Sequence, residues 1–370
     1  MAKRHFNRRR FLELTAFSAT GLVAMGIARK RAAGTQTEQA PATPVPSPHP
    51  GTLADNIVSG GPPKDGIPPI DEPRFVTADD MDYLLEPQDR VFVLAYEQEV
   101  HVYPQLVLVW HEIVNDEVGG QQVSVTYCPL TGSVVAFKGR APDGSPLTLG
   151  TSGNLVNSNL LMYDRQTDSQ WPQILGQAIS GELKGASLEE IPLVWTTWER
   201  WKAQGIDAPV LSAETGHLRS YGQDPYGAYA SSDQGYYEDD DLIFSVLHED
   251  QRFGPKEVVV GVKVGEDRLA IPKEAALEKG AWNLELASQP LVAVRDAALE
   301  TIWVFSRELG DRIFSFQFVE GSSLRDQDGG SWNRVGAALE GPGGERLPAV
   351  TFYDAMWFAW YAFFPETEVA

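Results

Sequence analysis

Cys128 and His111 are the residues whose chemistry stands out. The chain carries one cysteine in 370 residues, within Tyr127-Cys128-Pro129-Leu130-Thr131-Gly132-Ser133. A cysteine that ends a strand just before proline sits at a sharp turn. Turn amides aimed at its sulfur, with an imidazole nearby, would favour the thiolate. His111, in Trp110-His111-Glu112-Ile113-Val114-Asn115-Asp116, would then act as general base or as a cationic partner. Asn115 or Asp116 would orient its ring, in the logic of a Cys-His-Asn arrangement. The competing reading of a lone cysteine is a small buried hydrophobe. A metal reading uses the same atoms: Cys128, His111 and Met162 are soft or borderline donors suited to copper. No ligand spacing is diagnostic, and zinc would need about four ligands. His101, His217 and His248 each read as a surface or hydrogen-bonded histidine. The sequence therefore assigns no cofactor.

An internal repeat supplies the elements that must position these residues. Val91 to Tyr103 alternates apolar and polar residues around a turn before Pro104, and Val258 to Ile271 does the same before Pro272. Val123 to Phe137 reads as two strands around a loop, matched by Leu291 to Phe305. Ser169-Gln170-Trp171 and Gly176-Gln177-Ala178 recur as Ser331-Trp332 and Gly336-Ala337-Ala338. Ile191-Pro192 with Trp195, Trp198 and Trp201 recurs as Leu347-Pro348 with Trp357 and Trp360. At the places of His111 and Cys128 the second copy has Leu277-Glu278-Lys279-Gly280 and Arg295-Asp296-Ala297-Ala298. A structural residue is needed in both copies, whereas a chemical one can be kept in one. The His, the Cys and the Asn-Asp pair read as present in the first copy alone.

The expected fold is mainly β with short helices (α+β), two diverged tandem repeats packed as one globular body. Strands are expected at 91–96, 122–128, 133–138, 257–264 and 312–319, bounded by Gly, Pro and Asp turns. Short helices are expected near 104–110, 195–204, 273–279 and 353–363. The Trp residues of the second and fourth have helical spacing, which marks a core-facing stripe. Repeat one spans about 90–212 and repeat two about 257–370. The insertion between them, 213–256, holds Tyr221, Tyr226, Tyr229, Tyr236 and Tyr237 and the acidic run Glu238 to Asp241, and would form a lid or rim over a site. Asp164-Arg165 with Asp168-Ser169 reads as a tight turn. Ser152-Gly153-Asn154 reads as an anion-binding amide cluster or a plain turn. The loop at Asp326 lacks a calcium ligand at its twelfth position, Ala337.

Several of these segments resemble the family named domain of unknown function 3179. The resemblance rests on Pro63-Lys64-Asp65-Gly66-Ile67-Pro68, His111 to Asp116, Val125 to Gly132, Ser152-Gly153-Asn154-Leu155, Met162 to Trp171 and Trp357-Phe358-Ala359-Trp360. It covers nearly everything from Gly60 onward. It implies no activity. Members of that family often show a second Cys three positions after the first. Here that position is Thr131, which departs from a Cys-x-x-Cys redox pair or paired-thiolate clamp.

The N-terminal segment, residues 1–33, differs from the body. It carries eight Lys/Arg and one acid, Glu13, and the order Arg8-Arg9-Arg10-Phe11-Leu12 followed by the apolar run Leu14 to Ala28 resembles a twin-arginine export signal. The run is shorter than the ~20 strongly apolar residues of a membrane span. Residues 34–56 read as a Pro-rich linker, and 57–370 as the globular body. The expected location is periplasmic, cell-surface or extracellular, with membrane contact only through an uncleaved signal. Net charge is −21, and −28 without residues 1–33, a balance that repels phosphate backbones and excludes nucleic acid as a natural partner. With 43% hydrophobic and 10% aromatic residues, the body has ample core and one thiol, so its stability does not come from internal disulfides. Three classes remain: thiol-dependent catalysis on a small-molecule or envelope-derived substrate, a metal- or ligand-binding module without turnover, and an envelope scaffold.

Overall fold

The computed structural model describes residues 52–227, 235–319 and 323–370. The expected signal (1–33), nearly all of the linker and Tyr229 lie outside the described residues. At the linker's end, Leu53–Asn56 forms one 3-10 turn. Leu53 and Ile57 pack there on Val156, Leu161 and Ile179.

The chain is mainly β with a few short helices. Alternating apolar runs make the strands, and their periodicity sets which face is buried. In the first half, Leu193–Thr197, Arg90–Tyr96, Glu99–Pro104, Val210–Leu211 and Phe75–Val76 lie side by side in that order. The second half places Thr351–Met356, Val258–Val264, Asp267–Pro272 and Glu368–Val369 in the same succession. Pair directions also agree. The first two contacts of each sheet are antiparallel, and the short strands at Val210 and at Glu368 join parallel.

A three-stranded meander follows in each half. It is Ile113–Val118, Gln121–Cys128 and Ser133–Lys138 in the first, and Ala281–Leu286, Gln289–Asp296 and Thr301–Ser306 in the second. Registers match residue for residue: Val125 faces Ala136, and Ala293 faces Val304. From Arg90 against Val258 to Ser133 against Thr301 the displacement is constant at 168 residues, the difference of the strand starts. Beyond the meanders both halves close a turn with an aspartate that accepts an indole N–H. Trp171 donates to Asp164 at 3.0 Å and Trp332 to Asp326 at 2.8 Å.

The helices are Gln105–Leu108, Trp198–Lys202, Lys273–Lys279 and Trp357–Phe363. The second and fourth start later than the sequence suggests, because Leu193–Thr197 and Thr351–Met356 just before them are strands. Trp198, Trp201, Trp357 and Trp360 are all buried, as their spacing predicts. The strand expected over 312–319 is broken into Arg312–Ile313 and Phe316–Val319. Between them the Phe314 ring turns fully inward against Trp332. Two large apolar clusters make the core, and each draws side chains from both halves.

Ser152-Gly153-Asn154 is a bulge inside the Leu149–Val156 strand, where register shifts between Thr151 and Asn154. Gly153 has φ +77°, and a Cβ there would fall 2.1 Å from the Pro62 carbonyl oxygen. The glycine is needed because the Pro62-Pro63 backbone crosses the strand at that point.

Candidate functional site

Cys128 is the last residue of its strand and pairs across the meander with Ser133. The turn after it is not open. Cys128 is 1% exposed, and its sulfur meets the Ser158 carbonyl oxygen at 3.9 Å. That contact encloses the sulfur under the Ser158 carbonyl, away from solvent. Next to it lies a fully buried neutral network. Ser133 Oγ donates to Gln173 Oε1 at 2.6 Å, and Asn159 Nδ2 donates to Gln173 Oε1 at 2.9 Å and to Thr131 Oγ1 at 3.0 Å. Gln173 Nε2 donates to the Thr126 carbonyl at 3.0 Å. Thr131, the position compared with a second cysteine, thus belongs to an amide–hydroxyl lattice. Its carbonyl receives the Met356 N–H from the second half at 2.9 Å.

His111 is fully buried, and both ring nitrogens are engaged. Nδ1 donates to the Pro68 carbonyl at 2.7 Å. Nε2 therefore accepts, and the Tyr221 hydroxyl lies 2.7 Å from it. Thr215 Oγ1 stands 2.5 Å from that hydroxyl, and the His217 carbonyl 3.3 Å from it. Burial lowers the His111 pKa to about 4, against the opposing pull of the Pro68 carbonyl, and the neighbouring His217 and Arg219 lower it further. The ring is a neutral tie joining the Pro62–Pro68 segment, the first meander and the insertion. Both ring nitrogens are occupied by the Pro68 carbonyl and the Tyr221 hydroxyl, neither of them a thiol or a metal-ligand neighbour.

Asn115 and Asp116 do not orient that ring. They are neighbours on one strand and so face opposite sides. Asn115 Nδ2 donates to Asp71 at 2.7 Å and to the Leu149 carbonyl at 2.9 Å. Its Oδ1 accepts from Ser124 Oγ at 2.7 Å and from Leu149 N–H at 3.2 Å. The residue 168 positions later is Asn283, which clamps the Phe316 N–H at 2.9 Å and carbonyl at 2.8 Å in the same way. The Asn-Asp pair does not recur, because Leu284 follows Asn283, but the asparagine fastens a strand in both halves. Asp116 belongs to a different histidine. Its Oδ2 lies 2.8 Å from His101 Nδ1 and accepts from Tyr103 OH at 2.6 Å, while its Oδ1 accepts the Glu117 N–H at 2.7 Å. The corresponding positions of the second half, Leu269, Ile271 and Leu284, are apolar. Met162 is fully buried in the first core cluster. Among the described residues no group of three or more His, Cys, Asp or Glu is placed to hold a metal ion.

The insertion lies directly on this end of the first half, and it brings a group that sequence reading passed over. Asp224 Oδ2 accepts from Gln105 Nε2 at 2.6 Å and Tyr237 OH at 2.9 Å. The Tyr127 hydroxyl stands 3.3 Å from both Gln105 Nε2 and Tyr237 OH. Burial raises the Asp224 pKa to about 6, against the hydrogen bonds from Tyr226 N–H, Gln105 and Tyr237. Tyr236 OH donates to the Leu130 carbonyl at 2.7 Å, and Trp110 Nε1 to the Gln223 carbonyl at 3.1 Å. The available signal was an aspartate before proline inside a tyrosine-rich stretch, Asp224-Pro225-Tyr226.

An open cleft lies elsewhere, at the seam of the two halves. Its volume is ≈ 500 Å³, and its walls include Tyr96, Lys138, Glu190, Pro192, Ala337 and Arg346. No curated protein and no solved structure matches the chain. A family model does match, over residues 64–367. The strap at Pro63–Pro68, the His111 to Asp116 strand, the Cys128 turn and the Asp164 to Trp171 turn all fall within that match or border it, and the chain belongs to the family described as protein of unknown function (DUF3179).

Proposed function

We propose that this is an exported ligand-binding module without turnover, built by duplication of one β-rich unit. The twin-arginine pattern at Arg8-Arg9 and the Pro-rich stretch after it support export of the body on a tether. The common strand order of the two sheets and the constant displacement of 168 residues support duplication. The observation that carries the absence of turnover is the state of the two reactive groups. The sulfur is buried against the Ser158 carbonyl, and the imidazole is buried with both nitrogens bonded. A nucleophile needs access and a base with a free lone pair, and neither is on offer here. A pocket open to solvent lies at the seam cleft, and its size falls in the ordinary range of small-ligand sites.

Iodoacetamide tests this reading. The native full chain at pH 7.5 should resist alkylation at Cys128 and take up one label only in denaturant, read by intact mass. Native labelling as fast as a free peptide thiol would restore thiol chemistry as the leading function.

A further inference from the structure

We propose that the second half carries an open copy of the groove that the strap, residues 62–70, fills in the first half. This copy binds an extended segment of a partner protein, with a carboxylate five residues before a β-branched aliphatic side chain. The occupant is a peptide, so the inference goes beyond the small-ligand reading of the seam cleft.

The filled groove sets the pattern. The Asp65 N–H donates to the Thr151 carbonyl at 2.8 Å. Five residues later Ile70 lies beside the first meander as a parallel partner of Val114. Its N–H donates to the Ile113 carbonyl at 2.9 Å, and its carbonyl accepts the Asn115 N–H at 2.8 Å. Between these points His111 donates to the Pro68 carbonyl. On the sheet face the Tyr163 hydroxyl donates to Asp65 Oδ2 at 2.5 Å. Gly150, paired with Tyr163, leaves room for that carboxylate, since a Cβ there would fall 2.9 Å from Asp65 Oδ1.

The second half keeps this frame. Ala281 and Asn283 pair with Val294 and Val292 as Ile113 and Asn115 pair with Thr126 and Ser124. The same register turns the Ala281 carbonyl and the Asn283 N–H away from the meander. Phe318 pairs with Leu324 as Thr151 pairs with Met162. Among the described residues no backbone group meets the Ala281 carbonyl, the Asn283 N–H or the Phe318 carbonyl. Burial agrees, with Asn115 covered and Asn283 exposed. Unfilled backbone groups at a sheet edge are a template for an added extended chain.

The lining names the occupant. The cross-strand row Gly150, Tyr163, Gln170 becomes Gln317, Arg325, Ser331, and all three are exposed. Arg325 thus stands where Tyr163 holds Asp65, and a guanidinium there calls for a carboxylate. Exposed Lys279 replaces His111 as the donor for the carbonyl two residues before the aliphatic position. Partly buried Trp282 replaces Val114, the neighbour of Ile70. Two cations in place of two neutral side chains select an acidic segment.

The probe is a capped synthetic octapeptide of the chain's own Lys64 to Asp71, titrated by calorimetry into the full chain. It should bind saturably with Kd of about 1 mM or tighter, and slow hydrogen exchange at the Asn283 amide, read by NMR. Arg325→Glu, a surface change, should weaken binding about tenfold or more, and an Asp65→Lys peptide should recover it on that variant. No saturable binding, or binding that Arg325→Glu leaves unchanged, overturns the groove. Two other outcomes overturn the partner protein as occupant. Self-association of the chain that Arg325→Glu dissolves would identify a second copy, and slow Asn283 exchange in the free monomer would identify a segment of the same chain.

Discussion

Between Arg90 and Lys138, and again between Val258 and Ser306, the backbone follows one course, yet matched positions serve opposite ends. Gln105, Tyr127 and His111 in the first half lie under the insertion in a hydrogen-bonded set with Asp224 and Tyr221. Their counterparts 168 residues on are Lys273, Arg295 and Lys279. These are partly exposed cations, with Lys273 paired to Asp354, Arg295 to Glu300 at 2.8 Å, and Lys279 standing over the Trp282 ring. Cys128 corresponds to Asp296, which holds Arg334 at 2.9 Å. The first of these surfaces is covered by residues from 213–256, while its counterpart carries cations paired at or near the surface. The lesson is that absence from one copy marks a changed environment as readily as a chemical role. His111 and Cys128 are special to the first half because it is covered there.

The largest effect should come from what the halves share. Trp171→Ala and Trp332→Ala each remove a fully buried indole and its bond to an aspartate. Each should cost about 3–5 kcal/mol in urea unfolding. A gap of more than about 2 kcal/mol between them would break the equivalence of the two turns.

A second effect should come from what separates them. His111 has its folded pKa lowered from 6.5 to about 4. The folded state resists a proton that the unfolded state accepts. Stability from this group is therefore full above pH 6.5 and is lost as pH falls towards 4, by about 3 kcal/mol. Asp224, raised to about 6, acts with the opposite sign, losing stability as pH rises from 3.8 through 6. The contribution of His111 is isolated by comparison with His111→Gln. The stability difference between wild type and variant should shrink by about 3 kcal/mol from pH 7 to 4, and a constant difference would show that the ring is not held neutral.

The smallest effect concerns the hairpin turn of each meander. The first half uses Gly119 and Gly120, at φ +57° and +73°, and the second uses Ala287 and Ser288, at +51° and +63°. Two-residue hairpin turns of this kind need positive φ twice, which strains any side chain with a Cβ. Ala287→Gly with Ser288→Gly should stabilise by about 1 kcal/mol, and Gly120→Ser should cost a similar amount. Thermal unfolding of the two variants reads both, and a loss in the first would mean the turns are not alike.

Strand alternation, the Trp stripes and the order of the elements were legible in the sequence because they depend on local period and turn residues. The partners of the candidate site were not. Proximity in sequence points Asn115 or Asp116 at His111, whereas Asp116 pairs with His101 on the Glu99–Pro104 strand. Asn115 looked unmatched because its counterpart Asn283 sits amid changed neighbours, Trp282 and Leu284. Cys128 reads as the lip of a turn, but Ser158 reaches its sulfur from a later hairpin, and Asn159 and Gln173 pack beside it. The role of the insertion rests on Tyr221, Asp224, Tyr236 and Tyr237 meeting residues about a hundred positions earlier, a distance no periodicity encodes.

Lys263 and Tyr353 come from the second half, and both hydrogen-bond to the Ile174 carbonyl of the first, with Lys263 also anchored on Glu190. Pulled apart, one piece would be left with an ammonium lacking its counterion, and the other with a carboxylate and carbonyls suddenly unclaimed. Separating the halves would therefore expose unmatched charge on both sides, at a cost typical of breaking a buried ion pair. The buried Lys263 ammonium thus rivets the two halves together through groups that neither can leave unpaired.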